Sequence, residues 1–428
     1  MPSYEITPCK VHGKLKIPTS KSHTLRAILF ALLAEGKTTI HHYLNSPDTL
    51  AMLNAIKLFG AKVQVEESKI RVEGIAGQIK CCENVIDSGN SGIVYRFIAA
   101  IAALSDSYTI ITGDHSIRHQ RPIKPLLEAL EQLGCFAKSS RDDDHAPIII
   151  KGPISKNTAT LEAKDSQYIS ALLIAGAFAK KPFEIHVKNP GETPWMMLTL
   201  DWLDRFSIKY ENHGFKRYKI FGGSKIKGFD YTVPGDFSSA AYPIAAALVT
   251  KSSVTIHPID MNDSQGDKHL IDVLKKMGAS IEIDDDKKTL TVNETHKLSG
   301  MKIDLNPMID AITILAVIGC FAEGETLLYN GEIARKKECD RIHCIAKELK
   351  KMGADIEERP DGLLIKQSKL NGAKLETHKD HRLVLSLSVA ALGASSSSTI
   401  LDVDVVKKTF PTFYEDMKHL NASIRQIP

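Results

Sequence analysis

The stretch from residue 17 to residue 26 combines residue types that can bind an anion. Pro18 keeps the preceding residue extended, Ser20 can cap a helix, and the apolar residues 25–33 continue that helix. Its free N–H groups and positive dipole end would face the same side as three polar side chains, Lys21, Ser22 and Arg26. We expect this helix start to bind a phosphate or carboxylate, although a solvated helix end could have the same composition.

The chain repeats this kind of helix start, because one pattern recurs about every seventy residues. Each repeat contains a very apolar helix, a β-branched stretch and an amphipathic helix that ends at a turn. The residues that end the amphipathic helices are expected in the left-handed region: Gly60, Gly134, Ser207, Gly278, Gly353 and Asn421. Six copies of a helix and strand pattern indicate an α/β protein with two domains of three repeats each.

The first helix of each repeat is apolar on every side and is therefore expected to be buried. Such helices are predicted over residues 25–33, 93–104, 168–178, 240–249, 309–321 and 383–392. The amphipathic second helices would lie outside or against a sheet face. The predicted fold class is α/β, with helices at the centre of each domain and sheets around them.

The composition is that of an ordinary globular protein. The 428 residues allow two or three domains, and 43% hydrophobic with 25% charged residues is typical of this class. A net charge of +4, without a basic tract that includes aromatic residues, argues against a nucleic-acid partner. Seven cysteines without a Cys-x-x-Cys pair favour a reducing cytoplasm, and we expect no signal peptide. The longest apolar stretch, residues 311–322, is too short to span a membrane.

Further polar segments precede the other buried helices, and ordinary N-caps would explain the Ser and Asp residues among them. Caps do not explain Lys21, Gln167 and Arg382 at equivalent positions. The segments are Gly89-Asn90-Ser91-Gly92, Asp165-Ser166-Gln167, Gly235-Asp236-Phe237-Ser238-Ser239, Met308-Ile309-Asp310 and Asp380-His381-Arg382. We infer that these helix starts could converge on one cleft that binds anions.

Together these segments resemble one enzyme family. The motifs, in chain order, are Pro18-x-Ser20-Lys21-Ser22-x-x-x-Arg26, Gly89-Asn90-Ser91-Gly92, Arg121-Pro122-Ile123, Ser166-Gln167, Gly235-Asp236-x-Ser238-Ser239, Lys337-Glu338-x-Asp340-Arg341, Asp380-His381-Arg382 and Lys408-Thr409-Phe410-Pro411. They are similar to those of the 3-phosphoshikimate 1-carboxyvinyltransferase (EPSP synthase) family of enolpyruvyl transferases. The resemblance spans essentially the whole chain.

The resemblance implies a cytoplasmic enzyme of the shikimate pathway. It would transfer the enolpyruvyl group of phosphoenolpyruvate to the 5-hydroxyl of shikimate 3-phosphate through a tetrahedral intermediate, with release of phosphate. It implies two inside-out α/β barrel domains, residues 20–234 and residues 1–19 plus 235–428, with the cleft between them. It implies no metal or organic cofactor, and we expect a monomer without a nucleic-acid or membrane partner. Glyphosate would occupy the phosphoenolpyruvate site.

The resemblance also assigns site residues, all of types suited to two polyanionic substrates. Phosphoenolpyruvate would be held by Lys21, Gly92, Arg121, Gln167, Arg341, Arg382 and Lys408. Shikimate 3-phosphate would be held by Lys21, Ser22, Arg26, Ser166, Gln167 and Lys337. The reaction requires removal of a proton from the attacking hydroxyl and proton exchange at the methylene carbon. Two carboxylates in different surroundings can each carry out one of these transfers. We expect Asp310 to accept the hydroxyl proton, unless it is only a helix cap, and Glu338 to exchange protons at the methylene with assistance from Lys21.

Some positions depart from the family pattern. Asp165 stands where many members have Ser, and a carboxylate beside a substrate phosphate is unfavourable unless it turns away. Residues 191–195 replace a segment that often contributes Ser and Tyr. Cys339 replaces a common Thr. Ile93 and Phe97 stand where glyphosate-sensitive members have Thr and Pro, so we expect weaker inhibition by glyphosate than in a variant with those residues.

Two alternatives remain open to test, and a third is excluded by the sequence. A sister enzyme transfers enolpyruvyl to UDP-N-acetylglucosamine, but it typically has a cysteine in the loop that corresponds to residues 113–120, where this chain has none. A nucleotide-binding loop at residues 35–39 lacks the earlier glycine that such a loop needs, since Ala31 stands there. A phosphate-binding scaffold without turnover would keep the cations but would not require Asp310 and Glu338.

Overall fold

Helices and short strands alternate along the chain in the computed structural model, which describes residues 2–428. The helices are α1 (Lys21–Leu33), α2 (Pro47–Leu58), α3 (Gly92–Ala102), α4 (His115–His119), α5 (Lys124–Gln132), α6 (Ser166–Phe178), α7 (Thr193–Arg205), α8 (Phe237–Val249), α9 (His269–Lys276), α10 (Ile312–Phe321), α11 (Arg341–Lys351), α12 (His381–Leu392) and α13 (Phe413–His419). The strands in the first half are β1 (Ser3–Ile6), β2 (Gly13–Lys16), β3 (Lys37–His41), β4 (Lys62–Val65), β5 (Lys69–Glu73), β6 (Ile86–Asp87), β7 (Thr109–Thr112), β8 (Phe136–Ser139), β9 (Ile148–Lys151), β10 (Thr158–Glu162), β11 (Phe183–Lys188), β12 (Tyr210–His213) and β13 (Arg217–Ile220). The remaining strands are β14 (Asp230–Thr232), β15 (Val254–His257), β16 (Ile281–Asp284), β17 (Thr289–Val292), β18 (Lys302–Asp304), β19 (Glu325–Tyr329), β20 (Ile356–Arg359), β21 (Gly362–Lys366), β22 (Lys374–Leu375), β23 (Ser398–Ile400) and β24 (Ile424–Ile427).

The chain divides into two units. One is continuous in sequence and comprises Lys21–Val233; we call it the inserted unit. The other, the terminal unit, comprises residues 2–20 together with Pro234–Pro428. Each unit has its own hydrophobic core.

The sheets of the inserted unit share one pattern. Their strand orders are β14-β3-β5-β4, β6-β7-β9-β8 and β10-β11-β13-β12. In each sheet the first two strands are parallel, and the other neighbouring pairs are antiparallel. A parallel pair requires a crossover, and in two of these sheets the buried helices α3 and α6 provide it.

The terminal unit repeats the same pattern. Its sheets are β2-β15-β17-β16, β18-β19-β21-β20 and β22-β23-β1-β24, each with one parallel pair at its start. The two N-terminal strands β1 and β2 pair with strands from after residue 250. The repeated mixture of parallel and antiparallel pairs confirms the prediction of an α/β protein built from recurring helix and strand elements.

The predicted apolar helices form and are buried. Helices α1, α3, α6, α8, α10 and α12 expose almost none of their side chains. Within the inserted unit α3 packs against α6, and within the terminal unit α12 packs against both α8 and α10. Helix α10 starts at residue 312 instead of the predicted 309. The preceding Asn306–Ala311 segment is a 3₁₀-helix that is interrupted by Met308, which has non-helical angles.

The predicted ends of the amphipathic helices are confirmed. All six residues have a positive φ, which is +105° at Gly60, +88° at Gly134, +52° at Ser207, +104° at Gly278, +89° at Gly353 and +62° at Asn421. Among residues 2–428, no helix is long and apolar enough to cross a membrane.

We predict that replacing Ser207 with Gly stabilises the protein. Ser207 is exposed and ends α7 at φ +52°, with its N–H donating to the Asp204 carbonyl at 2.9 Å. A residue with a Cβ in this region is strained by about 1 kcal/mol, which glycine avoids. Ser207→Gly should raise the free energy of unfolding, measured by urea titration, by about 1 kcal/mol or slightly less. The control Ser207→Ala keeps the strain, so equal stabilisation by both variants would contradict this explanation.

Candidate active site

The guanidinium of Arg341 is the centre of a charged cluster in the terminal unit. Asp340 caps α11 by accepting from the N–H of His343, and Arg341 is the first residue of that helix. The Arg341 side chain is buried, and each of its nitrogens contacts a carboxylate. At 2.7 Å in each case, Nη1 donates to Asp310, Nη2 to Glu338 and Nε to Asp380.

Two further predicted cations complete this cluster. Arg382 Nη2 lies 2.5 Å from Asp310 Oδ2, and Lys408 Nζ lies 2.7 Å from Glu338 Oε1. The order of contacts is therefore Lys408, Glu338, Arg341, Asp310 and Arg382. Five residues that the resemblance assigned to the site thus lie in contact within the terminal unit. Because all five are at least partly buried, their positions are set by the fold before any ligand binds.

Asp310 is not a helix cap. It lies in the 3₁₀ segment before α10, and that helix begins without a side-chain cap. Burial raises the pKa of Asp310, but Arg382, Arg341 and Lys337 outweigh burial and hold this pKa well below the ordinary carboxyl value. Asp310 is therefore ionised at neutral pH and can accept a proton. The predicted residue Lys337 is thus one of the charges that lower this pKa.

Asp267 is a buried carboxyl beside the same cluster that sequence reasoning missed. Ser238 Oγ donates to its Oδ2, while its Oδ1 has no hydrogen-bond partner among residues 2–428. Burial and the charge of Asp310 raise the pKa of Asp267 to about 7. Its sequence neighbours resemble an ordinary polar loop, so no local signal distinguishes it.

In the inserted unit, Lys21 is joined to the start of α3. Its Nζ lies 3.5 Å from Asp48 Oδ2, which also accepts from Ser91 Oγ at 2.9 Å. Ser91 caps α3, whose first residue is Gly92. Asp48 therefore positions both Lys21 and the cap of the helix that begins at Gly92. It was not among the predicted residues, because only the fold brings it near them.

Gly92 lies against two other predicted residues. A Cβ at this position would be 2.6 Å from Arg121 Nη1 and 3.5 Å from Gln167 Oε1. Any side chain at residue 92 would therefore displace the Arg121 guanidinium. The structure thus brings together three of the predicted residues, Gly92, Arg121 and Gln167.

Arg96 explains how the unusual Asp165 is accommodated. Arg96 Nη1 lies 3.0 Å from Asp165 Oδ2 and donates to Gln167 Oε1 at 2.7 Å, and all three residues are largely buried. Asp165 also caps α6 by accepting from the N–H of Gln167. Its charge is therefore compensated by an arginine. Arg96 was missed, although an arginine inside an otherwise apolar helix is a signal that could have identified it.

The remaining predicted residues of the inserted unit contact protein groups. Ser166 donates from its N–H and its hydroxyl to Glu192 Oε2, at 3.0 Å and 3.1 Å. Arg26 donates from Nε and Nη2 to Thr199 Oγ1, at 3.1 Å and 2.9 Å, and from Nη1 to the Ser22 carbonyl at 3.3 Å. Burial lowers the pKa of Arg26 to about 9, so it remains a cation at neutral pH.

Comparison with known proteins identifies the family. The model for EPSP synthase (3-phosphoshikimate 1-carboxyvinyltransferase) matches residues 6–417. The chain belongs to the EPSP synthase family. A 3-phosphoshikimate 1-carboxyvinyltransferase from Chlamydia caviae is 43% identical, with 100% of this chain and 95% of the relative covered. One from Acetivibrio thermocellus is 41% identical, with 98% of both chains covered.

Solved structures support the same family and fold. An EPSP synthase from Acinetobacter baumannii has a TM-score of 0.82 at 26% identity, with 100% of both chains covered. The enolpyruvyl transferase NikO from Streptomyces tendae shares the fold, with a TM-score of 0.80 at 16% identity over 100% of this chain and 99% of that chain. Membership of the EPSP synthase family confirms the resemblance and the predicted enzyme class, a transferase.

Asp267 predicts a specific pH dependence of stability. An unfolded Asp loses its proton near pH 4, whereas the folded Asp267 holds it to about pH 7. Between these two pH values the folded state therefore holds one proton more than the unfolded state. The free energy of unfolding consequently falls as the pH rises through this range. Between pH 5 and pH 7 the free energy of unfolding of the parent should therefore fall. In Asp267→Asn this fall should be smaller by about 1–2 kcal/mol.

Urea titrations at both pH values measure this difference. The control Asp272→Asn removes an exposed carboxylate from α9 and should keep the parent's pH dependence. An unchanged pH dependence in Asp267→Asn would show that Asp267 is already ionised at pH 5.

Proposed function

We propose that the chain transfers the enolpyruvyl group of phosphoenolpyruvate to the 5-hydroxyl of shikimate 3-phosphate and releases phosphate. The observation that carries this proposal is the contact of Asp310 and Glu338 with Arg341, Arg382 and Lys408, in a member of the EPSP synthase family. Cations of this kind suit two polyanionic substrates, and carboxylates among them can move protons. We further propose that each unit is an inside-out α/β barrel of three repeats.

Five cations would bind phosphoenolpyruvate. In the terminal unit these are Arg341, Arg382 and Lys408, which the carboxylates already hold in place. In the inserted unit they are Lys21 and Arg121, with Gly92 and Gln167 beside Arg121. The missing Cβ at Gly92 leaves room for the Arg121 guanidinium to reach a carboxylate or phosphate. Such preorganised groups lower the cost of ordering the site on binding.

The binding of phosphoenolpyruvate would also activate Asp310. In the structure its carboxylate shares Arg341 and Arg382, which hold its pKa low and make it a weak base. Anionic substrate groups on the same arginines would partly neutralise them and raise the pKa of Asp310. Asp310 would then accept the proton of the attacking hydroxyl, while Glu338 exchanges the methylene proton with assistance from Lys21. Because the pKa of Asp310 would rise only when phosphoenolpyruvate is bound, transfer of the hydroxyl proton to Asp310 would follow that binding.

Shikimate 3-phosphate would be held by Lys21, Ser22, Arg26, Ser166, Gln167 and Lys337. Three of these side chains lie at the starts of buried helices, where backbone N–H groups also favour a phosphate: Lys21, Ser22 and Ser166. Arg26 keeps its charge although it is buried. We also propose that the protein acts as a monomer in the cytoplasm, without nucleic-acid or membrane partners.

Phosphate release tests the proposed reaction. The purified protein is given phosphoenolpyruvate with either shikimate 3-phosphate or UDP-N-acetylglucosamine. We expect release with shikimate 3-phosphate alone. Release with the sugar nucleotide alone would instead support the sister reaction, and binding of phosphoenolpyruvate without turnover would support a scaffold.

Substitution of Asp310 should separate catalysis from binding. We predict that Asp310→Asn lowers kcat about 10²–10⁴-fold, because the neutral amide cannot accept the hydroxyl proton. Calorimetry should still detect binding of shikimate 3-phosphate with an affinity within about tenfold of the parent, since the isosteric amide preserves the shape of the site. The exposed Asp355→Asn is the matched control and should keep full activity. Full turnover in Asp310→Asn would exclude this role.

A further inference from the structure

A buried carboxylate of the inserted unit occupies part of the proposed acceptor site. Glu192 is 2% exposed, and its Oε2 accepts from both the N–H and the hydroxyl of Ser166, at 3.0 Å and 3.1 Å. Ser166 is the first residue of α6, and a phosphate at this helix start would use the same two donors. One oxygen of Glu192 thus holds both donors of a residue that was predicted to bind the substrate.

The next N–H group of α6 also donates to a carboxylate. Asp165 Oδ1 accepts from the N–H of Gln167 at 2.9 Å, and Asp165 Oδ2 lies 3.0 Å from Arg96 Nη1. A single cap satisfies part of the first turn of a helix and leaves other N–H groups to a ligand or to water. Here Asp165 is the cap, and the second carboxylate, that of Glu192, takes the place that a ligand anion would have.

The backbone holds Glu192 against the start of α6. Residue 192 has φ +50° and precedes α7 without capping that helix through its side chain. The N–H of Gly191 donates to the Ala163 carbonyl at 3.0 Å, and a Cβ at residue 191 would lie 2.3 Å from the Lys164 carbonyl oxygen. The two segments therefore pack directly against each other. A left-handed conformation costs free energy in a residue with a Cβ, and it persists where the surrounding contacts impose it.

Helix α7 is anchored at a second point, independently of Glu192. Thr199, in the second turn of α7, accepts from Arg26 Nε and Nη2, and it donates to Ser170 Oγ of α6 at 2.9 Å. These contacts fix α7 and the Arg26 guanidinium relative to α6. The Glu192 side chain can therefore turn away from Ser166 while Arg26, which we assign to the same acceptor, stays in place.

We propose that Glu192 is a specificity-determining residue of the acceptor site. Its carboxylate binds the Ser166 donors in the free protein, and the phosphate of the acceptor must displace it. The identity of that acceptor rests on the proposed function. A carboxylate and a phosphate cannot both hold these donors, because two like charges at this distance repel each other. Shikimate 3-phosphate therefore binds more weakly than the Ser166 donors alone would allow.

The same competition selects for a charged group on the acceptor. Hydrogen bonds to a charged acceptor oxygen are about twice as strong as those to a neutral one, and a phosphate offers several such oxygens. A phosphate monoester can therefore replace the carboxylate of Glu192 on Ser166. A neutral hydroxyl cannot, so an acceptor that lacks the phosphate leaves Glu192 where it is.

Calorimetry with shikimate 3-phosphate tests this role without turnover. We expect Glu192→Gln to lower the dissociation constant about tenfold, because a neutral amide competes less strongly for the Ser166 donors and does not repel the phosphate. Glu192→Gly should lower it at least as much. Glycine suits φ +50°, so this second variant removes the carboxylate without adding backbone strain. The matched control Glu128→Gln changes an exposed residue of α5 and should bind as the parent does.

Initial rates separate this role from a purely structural one. In both Glu192 variants the KM for shikimate 3-phosphate should fall about tenfold, provided that chemistry is slower than its dissociation. The KM for phosphoenolpyruvate should stay within about twofold of the parent, because we do not assign Ser166 to that substrate. Loss of a contact that only supports the fold would not tighten the binding of one substrate alone.

Two results would overturn the proposal. They are an unchanged or weaker affinity for shikimate 3-phosphate in the Glu192 variants, and an equal gain in Glu128→Gln. The proposed function would survive either result if the parent releases phosphate with this acceptor. Binding by the Glu192 variants but not by the parent would support the role of Glu192 and contradict the proposed function, since the natural acceptor would then lack the phosphate. Absence of binding in every protein would contradict both.

Discussion

The buried guanidinium of Arg341 imposes the strongest constraint in the terminal unit. A buried cation is costly unless its charge and all its donors are compensated, and Arg341 has three carboxylates for three nitrogens. Two of those carboxylates need cations of their own, which Arg382 and Lys408 supply. Lysine could not replace Arg341, since only the planar guanidinium can donate in three fixed directions. The proposed site is thus a network of buried charged side chains in which each charge is compensated by a contacting group of opposite sign.

Buried helices explain why polar residues gather at so few positions. The first N–H groups of a helix have no partner within the helix, and inside a core they must find one in a side chain. Ser91, Asp165, Asp236 and Asp380 provide it. Neighbouring residues at the same helix starts are then available to bind a ligand. Capping therefore occupies only some residues of each segment, so it is compatible with the predicted ligand binding by their neighbours.

The sequence predicted what depends on local patterns. Apolar residues on every face identified the buried helices, and residues such as Gly278 and Asn421 identified the helix ends. The Asn306–Ala311 segment was not predicted as a separate 3₁₀-helix, because residues 309–311 were assigned to the apolar helix that follows. Asp48 and Asp267 were missed because their importance lies in contacts with residues far away in the chain. The motifs gave candidate residues, whereas only the fold gave their partners.

The position of β1 has a consequence for synthesis on the ribosome. Residues 3–6 emerge early, yet they lie in the middle of a sheet, between β23 and β24, and pair with residues 398–400 and 424–427. The terminal unit therefore cannot complete its core until the last residues of the chain have been made. The inserted unit is continuous, and all the strands of its sheets are available once residue 233 has emerged. Translation therefore sets an order of assembly in which the middle of the chain can fold while its two ends are still apart.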